Sequence, residues 1–166
     1  MLLEDLISED KKEGAYVACK FSDASADALY TFAEKLGVDN IVPRTKYHIT
    51  VIYSTVPVPK TFKAKGDFDE PLLVQPNHLT IFPTREGNGA LVVELYSAEL
   101  KKRHKELMEK YKLQYGFPEY KVHTTLSYDV GDFEIDDSIS LKPLKDLEIV
   151  EEYYEPLDLD WAKKNT

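Results

Sequence analysis

The feature that most constrains this chain is a nine-residue pattern that occurs twice. Residues 46–54 read KYHITVIYS and residues 121–129 read KVHTTLSYD, with Lys, His, Thr and Tyr at matching offsets. Both stretches are rich in β-branched and aromatic residues, which favours β-strands. In a strand, side chains two positions apart point to the same face. Each strand therefore presents a His together with a Thr, namely His48 with Thr50 and His123 with Thr125.

The same order of predicted elements leads to each copy of this motif. In the first half, a strand over 15–21 precedes a helix and then the motif strand over 46–54. Ser22 or Asp23 is a typical N-cap for this helix, and Gly37 is a typical residue at its end. The first half therefore predicts strand, helix and H-x-T strand.

The second half repeats this order after a linker over about 55–70. The apolar stretches LLV and HLTIF follow the linker, and Asn88-Gly89 predicts a tight hairpin turn into a strand over 90–96. A helix with apolar residues at helical spacing comes next, with Gly116 as its predicted end. The second motif strand follows this helix.

One more strand, over 147–154, is predicted to complete the sheet. The chain as a whole predicts an α/β (α+β) fold. We expect a single domain over residues 1–166 that consists of two similar strand-helix-strand lobes, about 1–75 and about 76–166.

The charge of the chain argues against extended nucleic acid as a partner. The net charge of the chain is −9. Residues 1–128 carry 17 basic and 18 acidic side chains, a net charge of −1. Residues 129–166 carry 4 basic and 12 acidic side chains, a net charge of −8. Proteins that grip long DNA or RNA use clustered Lys and Arg, and this near-neutral body offers no such field. A few local groups still suffice to hold a small anion such as a nucleotide.

The composition is that of a globular intracellular protein. Apolar residues make up 43% of the chain, which suffices for one packed core. The single cysteine, Cys19, lies in an apolar stretch, which indicates a core position and excludes an intrachain disulfide. The first residues lack a signal-peptide pattern, and no apolar run approaches the roughly 20 residues of a membrane span. We therefore expect a soluble protein of the cytoplasm.

Two further histidines are predicted to have structural roles. His104 lies in the charged stretch KKRHKE, which predicts a solvated position on a helix. His78 begins a third H-x-T triplet, but this triplet lacks the flanking Lys and Tyr and follows a proline-bearing loop. The repeated context therefore favours His48 and His123 as the functional pair.

A zinc site is an alternative use of two histidines. Zinc takes four ligands, and the remaining ones would have to come from a carboxylate or from His78. No recognisable ligand spacing is present, and no serine lies in the G-x-S-x-G motif that indicates a nucleophile. The sequence predicts no metal and no cofactor.

The segments HITV and HTTL, each of which closes a strand-helix-strand unit, resemble the paired motifs of the 2H phosphoesterase superfamily. The ordered segments EGAYVACKF, KYHITVIYS and KVHTTLSYD are similar to the phage anti-CBASS hydrolases, which degrade the cyclic oligonucleotide messengers of bacterial antiphage defence. The resemblance implies a bilobal fold with a V-shaped central groove, in which two His and two Thr surround one phosphate. It also implies substrate contacts from Tyr16 and Glu151.

This resemblance implies a phosphodiesterase that opens cyclic di- or trinucleotides, such as 3′,3′-cyclic GMP-AMP, in the cytoplasm of a bacterial host. With an ordinary pKa of about 6.5, one His can act as base and the other as acid, while the Thr hydroxyls stabilise the phosphate oxygens. A 2′,3′-cyclic phosphodiesterase for RNA ends and a non-catalytic cyclic-nucleotide sponge are the alternatives. The order of the histidine roles, the oligomeric state and the role of Trp161 stay open.

Overall fold

A computed structural model of the chain describes residues 13–84, 86–115 and 119–158. Within these residues, six strands and two α-helices follow in the order β1, α1, β2, β3, β4, α2, β5 and β6. The strands are β1 (Glu13–Phe21), β2 (His48–Ser54), β3 (Gly66–Phe82), β4 (Ala90–Tyr96), β5 (His123–Ser127) and β6 (Leu147–Asp158). The helices are α1 (Asp23–Leu36) and α2 (Ala98–Tyr111), and short 3-10 turns cover Arg44–Lys46 and Lys142–Leu144.

The six strands form one antiparallel sheet in the order β2-β1-β6-β3-β4-β5. The long strand β3 joins its two halves, because the part up to Val74 pairs with β6 and the part from Gln75 pairs with β4. Although β2 and β5 are the two edge strands, they contact each other. The predicted α+β fold is confirmed, whereas the division into two similar lobes stays a prediction.

The two helices tie the two halves of the chain together. Helix α2 packs against β2, and α1 contacts both β1 and β5. Each helix therefore contacts the motif strand that comes from the other half of the sequence. The fully buried side chains come from strands and helices alike and form one cluster, which includes Leu29, Ile49, Leu91, Leu126 and Ile149.

The predicted boundaries of α1 are confirmed. The Ser22 hydroxyl accepts a hydrogen bond from the backbone N–H of Ser25, which satisfies one of the free donors of the first turn. Gly37 follows the last helical residue with a φ of 75°, a left-handed conformation that glycine adopts without steric cost. Local chemistry therefore suffices to predict both ends of this helix.

The predicted end of α2 is wrong. The helix ends at Tyr111, and Lys112 adopts the left-handed conformation with a φ of 50°, so Gly116 does not end it. The N–H groups of Lys112 and Leu113 both reach the carbonyl of Met108. Because Leu113 is 7% exposed, its burial offsets the strained conformation of the residue before it. Gly116 itself lies outside the described residues.

Two predictions for the middle of the chain need correction. The expected linker to about residue 70 ends early, since β3 begins at Gly66, where pairing with β6 imposes an extended conformation on a sequence without a strand pattern. The connection between β3 and β4 is a hairpin, but it spans 83–89 rather than a two-residue turn. In this loop the Thr84 hydroxyl accepts from the N–H groups of Asn88 and Gly89.

The strand ends need smaller corrections, whereas the prediction for Cys19 is confirmed. The motif strands begin at His48 and His123, two residues later than predicted, and β6 continues to Asp158. Cys19 is fully buried, which confirms its predicted core position, and burial raises the pKa of its thiol to about 12. Among the residues that the structure describes, neither helix has the length and apolar character that a membrane crossing requires.

Candidate active site

The bent sheet brings the two motif strands to a common cavity. Isolated β-bridges link Ile41 with Ser127 and Ser54 with Tyr115, and the Tyr120 hydroxyl donates to the backbone carbonyl of Thr50 at 2.8 Å. A cavity of about 180 Å³ lies between the strands. It is lined by the four residues that the sequence predicts, His48, Thr50, His123 and Thr125, together with Tyr53, Tyr115 and Tyr128. The two H-x-T faces therefore meet.

Both cavity histidines have the same orientation. Nδ1 of His48 lies 2.9 Å from the carbonyl of Lys46, and Nδ1 of His123 lies 2.7 Å from the carbonyl of Lys121. Because a carbonyl oxygen only accepts hydrogen bonds, each Nδ1 must carry a proton. In the neutral ring this leaves the lone pair on Nε2. Each imidazole can therefore exchange a proton with a ligand through Nε2.

The surroundings of His123 favour its neutral form. Burial lowers the pKa of this imidazole, and the positive charge of His48 lowers it further. The backbone hydrogen bond to Lys121 and the nearby carboxylate of Glu94 act in the opposite direction, but they do not cancel the effect of burial. At neutral pH His123 is therefore able to accept a proton.

Each cavity threonine has a tyrosine partner. The hydroxyl of Tyr16 lies 3.2 Å from Oγ1 of Thr50, and Tyr128 makes a side-chain hydrogen bond with Thr125. Burial raises the pKa of Tyr16 and of Tyr128, so both phenols keep their protons. The predicted substrate contact Tyr16 therefore lies beside one of the predicted phosphate-binding hydroxyls.

A β-bulge follows each H-x-T motif and changes which residues face the cavity. In β2 the residues Thr50 and Ile52 pair with adjacent residues of β1, so Val51 is the extra residue, and Leu126 has the same place in β5. A bulge shifts the alternation of the side chains by one position. Tyr53 and Tyr128, each five residues after a His, therefore point into the cavity although regular alternation would turn them away.

Sequence reasoning noticed these two tyrosines but gave them no role. Their matching offsets were the available signal, since both copies of the motif place Tyr five residues after His. An odd spacing on a regular strand predicts opposite faces. The pairing register of the strands shows a bulge between each His and its Tyr, and this bulge turns the tyrosine to the same face as the histidine.

A larger cavity of about 840 Å³ adjoins His48. Its walls combine aromatic rings with both signs of charge, a lining typical of sites that stack planar groups and bind anions. The lining includes Tyr16, Lys20, Lys46, Tyr128, Tyr153 and Glu155. The ring of Tyr16 packs edge-on against both His48, at 6.1 Å between centroids, and Tyr153, at 6.4 Å. Lys20 and Tyr153 had no predicted role.

Glu151, the other predicted substrate contact, lies on the same face of the sheet as His48. Lys20 pairs with His48 on one side and with Glu151 on the other, so Glu151 is two strands away from the histidine. At the usual strand spacing this corresponds to about 10 Å between backbones. Its contact with a substrate stays a prediction.

The third H-x-T triplet has a different arrangement. Nε2 of His78 lies 2.5 Å from a carboxylate oxygen of Glu94, and the hydroxyl of Thr80 donates to the same carboxylate at 2.6 Å. Glu94 in turn pairs with His123 across β4 and β5. His78 therefore belongs to a hydrogen-bond network with Glu94 and lies two strands away from the cavity histidine His123.

The prediction of a solvated His104 is wrong. Nδ1 of this half-buried residue lies 2.7 Å from the carbonyl of Val51, and its ring stacks on Tyr120 with 4.0 Å between centroids. The lysines and the glutamate of KKRHKE are exposed, whereas Arg103 is half-buried like His104. His104 falls at helical spacing between the buried Leu100 and Leu107, on the face that packs against β2.

The absence of a metal stays a prediction, and the role of Trp161 stays open. Within residues 13–84, 86–115 and 119–158, no group of three or more His, Cys, Asp and Glu side chains is placed to hold a metal ion. Trp161, whose role the sequence left open, lies outside the described residues.

Comparison with known proteins identifies the family. The family described as "Anti-CBASS protein Acb1" matches residues 13–164. Proteins of that name from Enterobacteria phage T4 and Yersinia phage phiR1-RT are 37% and 35% identical to this chain. The alignments cover 93% and 95% of this chain and 95% and 97% of the two relatives.

A solved structure supports the fold independently. The crystal structure of TT0787 of Thermus thermophilus has a TM-score of 0.55 and is 13% identical, with 86% of this chain and 83% of that chain covered. At this identity the likeness shows the fold alone. The family match, in contrast, extends over all described residues and confirms the resemblance drawn from the sequence. The chain belongs to the Acb1 family of anti-CBASS proteins.

Proposed function

We propose that this chain is a metal-independent phosphodiesterase that hydrolyses 3′–5′ bonds of cyclic di- or trinucleotide messengers, such as 3′,3′-cyclic GMP-AMP, and so counters CBASS defence in the cytoplasm of a bacterial host. The observation that carries the proposal is the pair of imidazoles, His48 and His123, which line one cavity with Nδ1 of each ring on a backbone carbonyl. The name of the relatives, anti-CBASS protein, supports the same pathway.

In the first step, the 2′-hydroxyl of the substrate attacks the neighbouring phosphorus. His123 is the base, because burial lowers the pKa of this ring and keeps the lone pair on Nε2 available at neutral pH. His48 is the acid and protonates the 5′-oxygen as its bond to phosphorus breaks. The product is a linear oligonucleotide that ends in a 2′,3′-cyclic phosphate.

In the second step the histidines exchange roles. Neutral His48 takes a proton from the attacking water, and protonated His123 gives its proton to the departing 2′-oxygen. The product carries a 3′-phosphate, and both rings return to their initial protonation states. In this scheme each half of the chain contributes one His and one Thr, as expected for a site between two similar lobes.

The threonines hold the phosphate for this reaction. Thr50 and Thr125 donate to its non-bridging oxygens and stabilise the charge that develops in the transition state. A hydroxyl has a single proton, so Thr50 must accept its hydrogen bond from Tyr16 when it donates to the phosphate. Tyr128 has the corresponding relation to Thr125.

The larger cavity accommodates the rest of the cyclic nucleotide. Tyr16 and Tyr153 offer aromatic faces for a base, and Lys20 and Lys46 offer charge for a second phosphate. Glu151 can accept hydrogen bonds from the amino or imino groups of a base. The expected partner is a small cyclic oligonucleotide and no extended nucleic acid.

The test is incubation with 3′,3′-cyclic GMP-AMP in excess EDTA, followed by mass spectrometry of the products. We expect the wild type to form a linear dinucleotide with a terminal phosphate and the variants His48→Ala and His123→Ala to leave the substrate intact. His78→Ala is the matched control, because it removes a histidine outside the cavity, and its kcat should stay within about tenfold of the wild type.

Three other outcomes would contradict this proposal. Loss of activity in EDTA with recovery on addition of a divalent ion would indicate a metal enzyme. Tight binding without turnover would indicate a sponge, and cleavage of RNA 2′,3′-cyclic phosphate ends alone would indicate an RNA-end enzyme.

A further inference from the structure

The β-bulge in β2 presents two neighbouring backbone carbonyls to side-chain donors. Val51 is the extra residue of the bulge and is fully buried. Its carbonyl accepts a hydrogen bond from Nδ1–H of His104 at 2.7 Å, and the carbonyl of Thr50 accepts from the Tyr120 hydroxyl at 2.8 Å. Buried backbone carbonyls require partners, and here two side chains supply them.

The two donors act as one unit. The rings of His104 and Tyr120 are stacked, with 4.0 Å between centroids and an angle of 6° between planes. Tyr115 packs edge-on against both rings, at 4.9 Å from His104 and 5.9 Å from Tyr120, and it lines the 180 Å³ cavity. The stack therefore connects helix α2 to the floor of the cavity beneath Thr50.

The equivalent bulge in β5 is held differently. The carbonyl of Leu126 accepts from the backbone N–H of Val42 at 2.8 Å. This donor is part of the main chain, so no side-chain substitution other than proline removes it. A substitution at His104 consequently disturbs one motif strand and leaves the other as an internal reference.

We propose that His104, together with Tyr120, is a positioning residue for the first H-x-T strand: it holds the bulge at Val51 and thereby directs Thr50 and Tyr53 into the cavity. This inference rests on the proposed function, because the orientation of the Thr50 hydroxyl affects turnover only if this hydroxyl binds the reacting phosphate. Neither His104 nor Tyr120 lines the cavity itself. Their effect on turnover is transmitted through the backbone of β2.

The first test separates the hydrogen bond from the ring. His104→Phe keeps a stacking ring and removes the donor, whereas His104→Asn removes the ring and keeps an N–H donor near the position of Nδ1. We expect His104→Phe to lower kcat for 3′,3′-cyclic GMP-AMP by about tenfold to a hundredfold with little change in KM, because small misplacements of a catalytic group cost this much. His104→Asn should recover most of the loss. Glu106→Gln, at an exposed position of the same helix, is the control.

The second test is a double-mutant cycle. If His104 acts through Thr50, His104→Phe should cost little further activity in a Thr50→Val background. In a Thr125→Val background it should keep its full effect, because β5 has its own support. The proposal would be overturned if His104→Phe lowered kcat by the same factor in both backgrounds. It would also be overturned if the loss of kcat only followed a loss of thermal stability.

A third measurement does not depend on catalysis. In NMR spectra of isotope-labelled protein, His104→Phe should shift the resonances of Thr50 and Tyr53 and leave those of Thr125 and Tyr128 in place. Shifts of similar size on both strands would overturn the positioning role. If the wild type cleaves no cyclic dinucleotide, the proposed function fails, while these shifts still decide whether His104 fixes the bulge.

Discussion

At the scale of single residues, the two cavity histidines share one orientation but differ in their electrostatic environment. Both rings donate from Nδ1 to the carbonyl of a lysine two residues earlier. The spacing K-x-H therefore places a backbone carbonyl, rather than the lysine side chain, beside the histidine ring. The lowered pKa of His123 distinguishes the two otherwise equivalent rings, and the proposed reaction assigns the base to His123 on this ground.

The pH dependence of turnover tests this assignment. The base must be neutral, so kcat/KM falls as pH decreases through the pKa of His123. Because that pKa is lowered, we expect the midpoint of the acid limb below the ordinary histidine value of about 6.5, within a bell-shaped profile. Glu94→Gln removes a carboxylate that raises this pKa and should move the midpoint further down. A midpoint above about 6.5, or a profile with one limb, would contradict the assignment.

The pairing of Tyr16 with Thr50 leads to a second prediction at this scale. Tyr16→Phe keeps the ring but removes the hydroxyl that is hydrogen-bonded to Thr50. In the proposed complex this hydroxyl is the donor, so its loss frees the threonine proton to point away from the phosphate. We expect kcat to fall by about tenfold, the order of one net hydrogen bond, with KM nearly unchanged. Steady-state kinetics measure both constants. A rise of KM at constant kcat would instead indicate that Tyr16 only binds the base.

At the scale of elements, the ends of the two helices show where local sequence is sufficient. Ser22 and Gly37 have side-chain and backbone properties that favour the ends of α1 at these positions. Helix α2 ends at a lysine, whose own preference opposes the left-handed conformation. Burial of Leu113 decides the end of α2, and burial is a property of the folded molecule.

This difference predicts a stabilising substitution. Lys112→Gly relieves the left-handed conformation at the end of α2, and we expect it to raise the free energy of unfolding by about 0.5–1 kcal/mol. Lys105→Gly, in the middle of the same helix, is the matched control and should lower it by about 1 kcal/mol. Thermal denaturation followed by circular dichroism measures both effects. A destabilised Lys112→Gly would show that the lysine side chain has a role of its own.

At the scale of the whole molecule, a buried ion pair joins elements from distant parts of the chain. Glu152 in β6 is 1% exposed and accepts two hydrogen bonds from the guanidinium of Arg103 in α2, at 2.8 and 3.0 Å. The same carboxylate accepts from the backbone N–H of Lys65, just before β3. Three segments of the fold therefore converge on one charged group beneath the sheet.

Removal of one partner of this ion pair should lower the free energy of unfolding strongly, whereas removal of both partners should lower it little. Arg103→Met leaves the carboxylate of Glu152 buried without its counter-charge, and we expect a loss of about 3–5 kcal/mol in the free energy of unfolding. The double variant Arg103→Met, Glu152→Met should recover most of this loss, because no unpaired charge remains. Urea denaturation measures the free energy of unfolding of both variants and of the wild type. A single variant within about 1 kcal/mol of the wild type would show that water reaches the carboxylate.

The sequence by itself determined the order of the elements, both ends of α1 and the burial of Cys19, and it selected the four residues that line one cavity, His48, Thr50, His123 and Thr125. These features depend on local chemistry and on a repeat that is visible in the letters alone. The tertiary structure decided what depends on pairing and burial between distant segments. It brought the two edge strands together and placed a bulge after each motif, so that Tyr53 and Tyr128 face the cavity. It also buried His104 against β2 and gave His123 a lowered pKa, because contacts across the fold control both the register of a strand and the hydration of a side chain.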